Sequence, residues 1–295
     1  MQRVEQEIAR LIKEIDYDEV TELFNTLSGG KRLRAKLILK IAPDHEKAPL
    51  LAAIVELIHG ASLLHDDVID DAMTRRGVRS VNASEGSKVA VMLGDILYSK
   101  AFSELVSFPR DVAEIVASSV TALSKGEMMD VKMAEKFNTD ETAYLDMLYL
   151  KTATLIEAAA AASALLSEKD ASAYALYGRN LGLSFQIIDD ILDITASEEV
   201  LGKPAMNDFV EGKCTLPYIY LYKALSEDDK KRLVTLHAKE IKPQETLWIQ
   251  EKMKEHKTIE KSFELAQKLS NEAKEIMSKE SELVAILETM IKRTF

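Results

Sequence analysis

Four carboxylates, Asp66, Asp67, Asp70 and Asp71, close an apolar run that begins at Leu50. Within that run Leu51, Ile54, Val55, Ile58, Ser62 and His65 recur at steps of three and four, the period of a helix with a buried face. Asp66 and Asp70 then share a helical face one turn apart, their side chains about 6 Å from each other. Acids gathered at a helix C-terminus repel one another and oppose the helix dipole. A bound cation relieves both effects; the alternative is a solvated helix end. A second copy narrows the choice. The segment Phe185-Gln186-Ile187-Ile188-Asp189-Asp190-Ile191-Leu192-Asp193-Ile194 sets three acids among apolar residues, and unpaired buried charge is costly. Two Asp-Asp-x-x-Asp helices, about 120 residues apart in sequence, can face each other across a cavity. Mg2+ takes a few carboxylates, keeps several waters and accepts phosphate oxygens. The pair reads as a jaw for a metal-bound diphosphate.

Composition sets the frame. Of 295 residues 47% are hydrophobic, enough for a sizeable core, while aromatics are only 6%. Ala, Leu, Ile, Lys and Glu dominate, and six prolines and eleven glycines are few for a β protein of this size. The expected fold is all-α, a helical bundle around a central apolar cavity. A net charge of −11 argues against general nucleic-acid binding, because no excess of Lys and Arg is available for phosphates. The lone cysteine, Cys214, forms no internal disulfide, which fits a reducing cytoplasm. Residues 1–13 form an amphipathic charged helix rather than a signal peptide, and no run approaches eighteen uncharged apolar residues, so no membrane span is expected.

Helical periods cover residues 2–14, 18–27, 31–42, 47–70, 86–106, 109–136, 140–166, 169–195, 212–225, 227–240, 244–255 and 258–292, with short breaks at Gly, Pro or Asp. No linker or solenoid repeat interrupts them, so residues 1–295 are expected to form one domain, with charged peripheral helices from about 226. Interior glycines Gly60, Gly94, Gly126 and Gly182 weaken helices and imply close helix packing or, less often, a backbone lining a channel.

Basic residues cluster in Gly29-Gly30-Lys31-Arg32-Leu33-Arg34, which opens a helix. Cations there oppose the dipole, so a shared anion among them is implied, and a diphosphate suits Arg forks and a Lys point charge. The alternative is a solvated basic turn. Thr74-Arg75-Arg76-Gly77 follows the first acid motif and is a natural second phosphate contact. Lys151-Thr152 opens an Ala-rich helix, and Lys203 and Lys213 follow the second acid motif; several lysines near buried carboxylates suggest closure over a charged ligand. Glu56-x-x-His59 matches half of a carboxylate-bridged di-iron motif, but no second Glu-x-x-His accompanies it.

Taken in order, these residues resemble the trans (E-type) polyprenyl diphosphate synthases. The likeness covers residues 25 to 220: Gly-Gly-Lys-Arg-Leu-Arg (29–34), His59, Leu63-Leu64-His65-Asp66-Asp67-x-x-Asp70, Arg75-Arg76-Gly77, Gly126-Glu127, Lys151-Thr152, Phe185-Gln186-x-x-Asp189-Asp190-x-x-Asp193, Leu201-Gly202-Lys203-Pro204 and Gly212-Lys213-x-Thr215-Leu216-Pro217. Ala35 stands where the family usually has Pro, and the tail from Lys292 to Phe295 matches no family feature. The resemblance implies a prenyltransferase that joins isopentenyl diphosphate to an allylic diphosphate, with farnesyl diphosphate the expected primer. Asp66, Asp67, Asp70, Asp189, Asp190 and Asp193 would hold a cluster of three Mg2+. Asp66, Asp67, Asp70, Arg75, Lys151, Asp189 and Lys203 would carry the catalysis. Arg75, Lys151, Thr152, Gln186, Lys203 and Lys213 would contact the allylic substrate, and Lys31, Arg34, His59 and Arg76 the isopentenyl diphosphate. A homodimer is also implied.

Product length in this family depends on the side chains below the first acid motif. Ala61 and Ser62 lie about 6–8 Å below Asp66 along the helix. Small residues here imply an open shaft and a hexaprenyl-to-decaprenyl product, octaprenyl as the single value, for a quinone side chain. The floor is expected among Met92, Met128, Met129 and Phe102. A shorter farnesyl or geranylgeranyl product is the alternative. A non-catalytic partner subunit is disfavoured by the two intact Asp motifs, and a cyclase or head-to-head synthase by the Lys31, Arg34, His59 and Arg76 set.

Overall fold

The structure is a computed structural model that describes residues 1–27, 30, 32–75, 77–195 and 206–292. It is all-α, 79% helical, with a single two-stranded hairpin among the described residues. The chain divides into two compact units, Met1–Val120 with Ala158–Ala175 and Thr121–Glu157 with Leu176–Phe295.

The first unit is built on α4 (Ala48–Ile69). Around it pack α1 (Gln2–Lys13), α3 (Leu33–Ile41) and α6 (Ser87–Leu105), with α2 (Asp18–Thr26) against α1. Pro49 starts α4 in its first turn, where its missing N–H is no loss. By length and composition α4 is able to cross a membrane, contrary to the expectation that no stretch comes near this, yet 72% of that stretch is buried within the protein. Neighbours on several sides explain its apolarity: a helix hydrophobic nearly all round is a core helix.

Between α4 and α6 the chain makes a feature that helical periods did not anticipate. Strands β1 (Thr74–Arg75) and β2 (Val78–Arg79) pair antiparallel, Thr74 opposite Arg79 and Arg75 opposite Val78. Gly77, between the strands, has φ +79°, a backbone that glycine adopts without strain. Ser80 then caps the short α5 (Val81–Glu85), its Oγ accepting the Ala83 N–H at 3.0 Å. Strands of two residues are too short to show any alternation in the sequence.

Helix α7 (Arg110–Ala134) begins in the first unit and ends in the second. Next come α8 (Glu141–Leu148), a π-helical turn (Tyr149–Ala153), α9 (Thr154–Leu166) and α10 (Ala171–Thr195). The stretch expected as one helix over 140–166 is therefore split by a wide turn. Beyond the second acid motif lie α11 (Asn207–Val210), α12 (Leu216–Ala224), α13 (Glu227–Leu236), α14 (Pro243–Glu255), α15 (Thr258–Ile276) and α16 (Ser281–Ile291). The expected helix over 258–292 breaks at Met277, where the polar run Ser278-Lys279-Glu280-Ser281 interrupts the apolar period. These late helices do more than cover a surface. Leu233, Ile249 and Met253 join Phe209, Tyr218 and Leu221 in a buried core.

Candidate active site

Asp66 is half-buried at the end of α4, Asp67 is buried, and Asp70 is the exposed residue that caps the helix. The Asp70 N–H donates to the Asp66 carbonyl at 2.8 Å, so the two remain one turn apart as expected. Arg75 folds back from β1, and its Nε and Nη2 both lie 2.7 Å from Asp67 Oδ1. Burial pushes the Asp67 carboxyl above its usual range; Arg75 pulls it back, and the charge of Asp70 adds to the rise. His65 turns to α6, where its ring sits 3.2 Å from the Val91 carbonyl and 3.4 Å from Asp95. A Cβ on Gly94 would lie 2.3 Å from His65 Nε2, so this glycine makes room for the ring. Ala61 and Ser62 are both buried, with Ser62 Oγ donating to the His59 carbonyl at 2.9 Å.

The basic segment enters α3 through Arg32, whose backbone is left-handed at φ +50°. Its guanidinium donates to Glu56 Oε2 at 3.2 Å and to the two oxygens of Glu5 at 3.2 and 3.3 Å. Glu56 Oε1 accepts the Ala35 N–H at 3.1 Å. The anion expected among these cations is supplied in part by the protein itself, through Glu5 and Glu56 on Arg32. Glu56, weighed in the sequence as half of a di-iron motif, is instead an anchor. Arg34 is half-buried in the first turn of α3, and His59 is half-buried on α4.

In the second unit a hydrogen-bond chain links the π-helical turn to the second acid motif. Thr152 Oγ1 donates to Gln186 Oε1 at 3.1 Å, Gln186 Nε2 donates to Asp190 Oδ1 at 3.0 Å, and the Tyr144 hydroxyl donates to Asp190 Oδ2. Burial first, and then the charge of Asp208, pushes Asp190 up to about 8 against those two donors. Asp193 is buried and its Oδ2 accepts the Asp208 N–H at 3.2 Å, while Asp189 is half-buried. Lys151 Nζ lies 2.6 Å from Asp130 Oδ2 and 2.9 Å from Glu127 Oε2, two buried acids of α7. The turn that carries Lys151 is wedged by two glycines. A Cβ on Gly126 would lie 2.3 Å from the Lys151 amide nitrogen, and one on Gly182 would lie 2.5 Å from Ala153 Cα. Close packing is thus the reason for Gly94, Gly126 and Gly182; Gly60 has its nearest neighbour at 3.8 Å and is not crowded. Lys213 lies near this motif in sequence, with Nζ 2.8 Å from Glu211 Oε2.

Lys31, Arg76 and Lys203 lie outside the described residues. Among the described residues no three His, Cys, Asp or Glu side chains converge into a ready-made metal cluster. The donor chemistry nonetheless suits Mg2+, a hard ion that needs only one or two carboxylates when waters and phosphate oxygens complete its shell. Of the residues expected at a shaft floor, Met92 is 53% exposed, Met128 62% and Phe102 36%, and Met129 packs partly buried against the Tyr144 and Ile187 core. Sequence reasoning also missed Tyr144, Asp130 and Asp208, and quoted Glu127 only within the Gly126-Glu127 motif; their contacts arise from folding rather than from local spacing.

The geometry matches known proteins. Residues 17–253 fit the profile of the family described as Polyprenyl synthetase. The short chain isoprenyl diphosphate synthase of Methanothermobacter thermautotrophicus is 38% identical over 221 residues, 71% of this chain and 68% of that protein. The octaprenyl pyrophosphate synthase structure from Helicobacter pylori has a TM-score of 0.92 at 42% identity, covering 99% of this chain and 97% of the other. The decaprenyl diphosphate synthase structure from Rhodobacter capsulatus has a TM-score of 0.94 at 28% identity, covering 100% and 96%. With both acid motifs inside the matched span, the chain belongs to the polyprenyl synthetase family and is a prenyltransferase.

Proposed function

We propose that the chain elongates an allylic diphosphate, farnesyl diphosphate as primer, with isopentenyl diphosphate units joined head to tail into a long all-trans product, octaprenyl the expected length. The observation that carries this reading is that both Asp-Asp-x-x-Asp motifs are intact within the family match. Asp66, Asp67, Asp70, Asp189, Asp190 and Asp193 are the residues that would hold Mg2+. When bound, the ion supplies positive charge to the departing diphosphate. Arg75, Lys151, Thr152, Gln186, Lys203 and Lys213 bind and orient the allylic diphosphate, and the cations among them stabilise charge on the leaving oxygens. Lys31, Arg34, His59 and Arg76 hold isopentenyl diphosphate so that its alkene meets the allylic carbon. The C–O bond to diphosphate breaks, the new C–C bond forms, and the proton lost from the condensed product goes to the released diphosphate. Apolar walls keep water from the allylic cation.

The small side chains of Ala61 and Ser62 support the long-product reading, as does the likeness to octaprenyl and decaprenyl synthases. A farnesyl- or geranylgeranyl-length product is the second reading, favoured by the 38% identity to a short-chain enzyme. A cytoplasmic homodimer completes the proposal. Its support is the lone Cys214 together with apolar side chains left exposed on α6 (Met92, Phe102) and α7 (Met128, Val131).

The test is incubation with farnesyl diphosphate, labelled isopentenyl diphosphate and Mg2+, followed by product sizing. A labelled product near octaprenyl length is expected. Arrest at geranylgeranyl length selects the second reading, and no incorporation refutes elongation.

A further inference from the structure

Glu56 is 7% exposed in the middle of an apolar helix, a position costly for an acid unless both oxygens are used. Both are used, on the same short segment. Oε1 takes the Ala35 N–H at 3.1 Å, one of the open amides at the start of α3, and Oε2 takes Arg32 Nη1 at 3.2 Å. Arg32 is the residue whose left-handed backbone turns the chain into α3, and from the other side Glu5 of α1 grips the same guanidinium. A well-packed apolar substitute for such a pair is commonly no worse for stability. What the pair adds is a fixed approach of the α3 start to α4. Arg34 stands beside Ala35, and His59 stands one turn beyond Glu56.

We propose that Glu56 is a positioning residue for isopentenyl diphosphate: by fixing the start of α3 against α4 it sets Arg34 relative to His59. This rests on the substrate roles given above for Arg34 and His59. It assigns a role to a buried carboxylate that itself touches no substrate.

Glu56→Gln is the informative change. The amide keeps an oxygen for the Ala35 N–H and loses the charge facing Arg32. The KM for isopentenyl diphosphate should rise roughly tenfold. The KM for farnesyl diphosphate and kcat at saturation should stay within about twofold. Arg32→Gln should give at least as large a split, since it also removes the pairing with Glu5, and the double variant should be no worse than Arg32→Gln alone, because the Glu56–Arg32 interaction is lost only once. Should Glu56→Gln fail to fold by circular dichroism, Arg32→Gln carries the same readout. An unchanged KM for isopentenyl diphosphate, or equal rises for both substrates, overturns the proposal. A wild-type enzyme that never incorporates isopentenyl diphosphate would instead overturn the elongation reading, so the two failures are distinguishable.

Discussion

Gly126→Ala is a sharp test of how the second unit holds Lys151. The added Cβ would lie 2.3 Å from the Lys151 amide nitrogen, 2.7 Å from the Leu150 carbonyl carbon and 2.8 Å from Lys151 Cα. Ordinary contact begins near 3.4 Å, so the nearest pair is short by about 1.1 Å. All three atoms are backbone, and no rotamer change relieves them. α7 and the π-helical turn must therefore separate by about 1 Å, which also strains the ion pairs from Lys151 to Glu127 and Asp130. Alanine gains about 1 kcal/mol of helix propensity, whereas overpacking costs about 1–3 kcal/mol; the net is a loss of up to about 2 kcal/mol. A displacement of about 1 Å in a substrate-positioning group can cost on the order of 100-fold in rate. Urea denaturation and steady-state kinetics with each substrate should show modest destabilisation and a large fall in kcat/KM for the allylic diphosphate. Gly60→Ala is the internal control: its Cβ meets nothing closer than Leu97 Cδ1 at 3.8 Å, so it should gain up to about 1 kcal/mol. A Gly126→Ala enzyme with wild-type stability and allylic kinetics would refute the wedge.

Ala61→Phe tests the proposed shaft and should shorten the product by several isoprene units, Ala61 standing on α4 five residues before Asp66; an unchanged product on thin-layer chromatography removes Ala61 from the shaft. His237 is buried with Nε2 2.7 Å from the Gly212 carbonyl, and burial holds its pKa below the usual 6.5 despite that hydrogen bond. The unfolded chain therefore takes up the proton first. Stability is full above about pH 6.5 and falls as pH drops through the window below it, by at most about 1.4 kcal/mol per pH unit. His237→Gln should flatten that slope in denaturation curves taken from pH 7 to 5, and an identical slope would refute the assignment.

What was legible in the sequence was whatever repeats along one helix. The period of α4 predicted both its burial and the shared face of Asp66 and Asp70, because residues one turn apart are neighbours whatever else the chain does. The π-helical turn was hidden because residues 140–166 keep a helical pattern throughout. Gly126 and Gly182, which lie against it, come there only on folding. Glu56 is different: the lack of a second Glu-x-x-His sets aside a metal half-site, but spacing could not name its partners, Arg32 and Ala35, more than twenty residues away in sequence. Asp208 and Tyr144 likewise reach the second acid motif through folding, and neither sits in a pattern that spacing alone marks.

The two arguments from crowded charge fare differently once the fold is known. At the start of α3 the cations demanded an anion, and the chain provides Glu5 and Glu56, so the demand alone no longer points to a diphosphate. At the second acid motif the described donors to Asp190 are Tyr144 and Gln186, both neutral. Hydrogen bonds from neutral groups satisfy its oxygens without offsetting its charge, which is why burial and Asp208 still push the carboxyl up to about 8. A positive charge remains the partner that lets such a buried carboxylate ionise at neutral pH. The demand for an anion is thus met within the chain at Arg32, whereas the charge of Asp190 is left unoffset by its neutral donors, and the Mg2+ proposed above is the ion that would offset it.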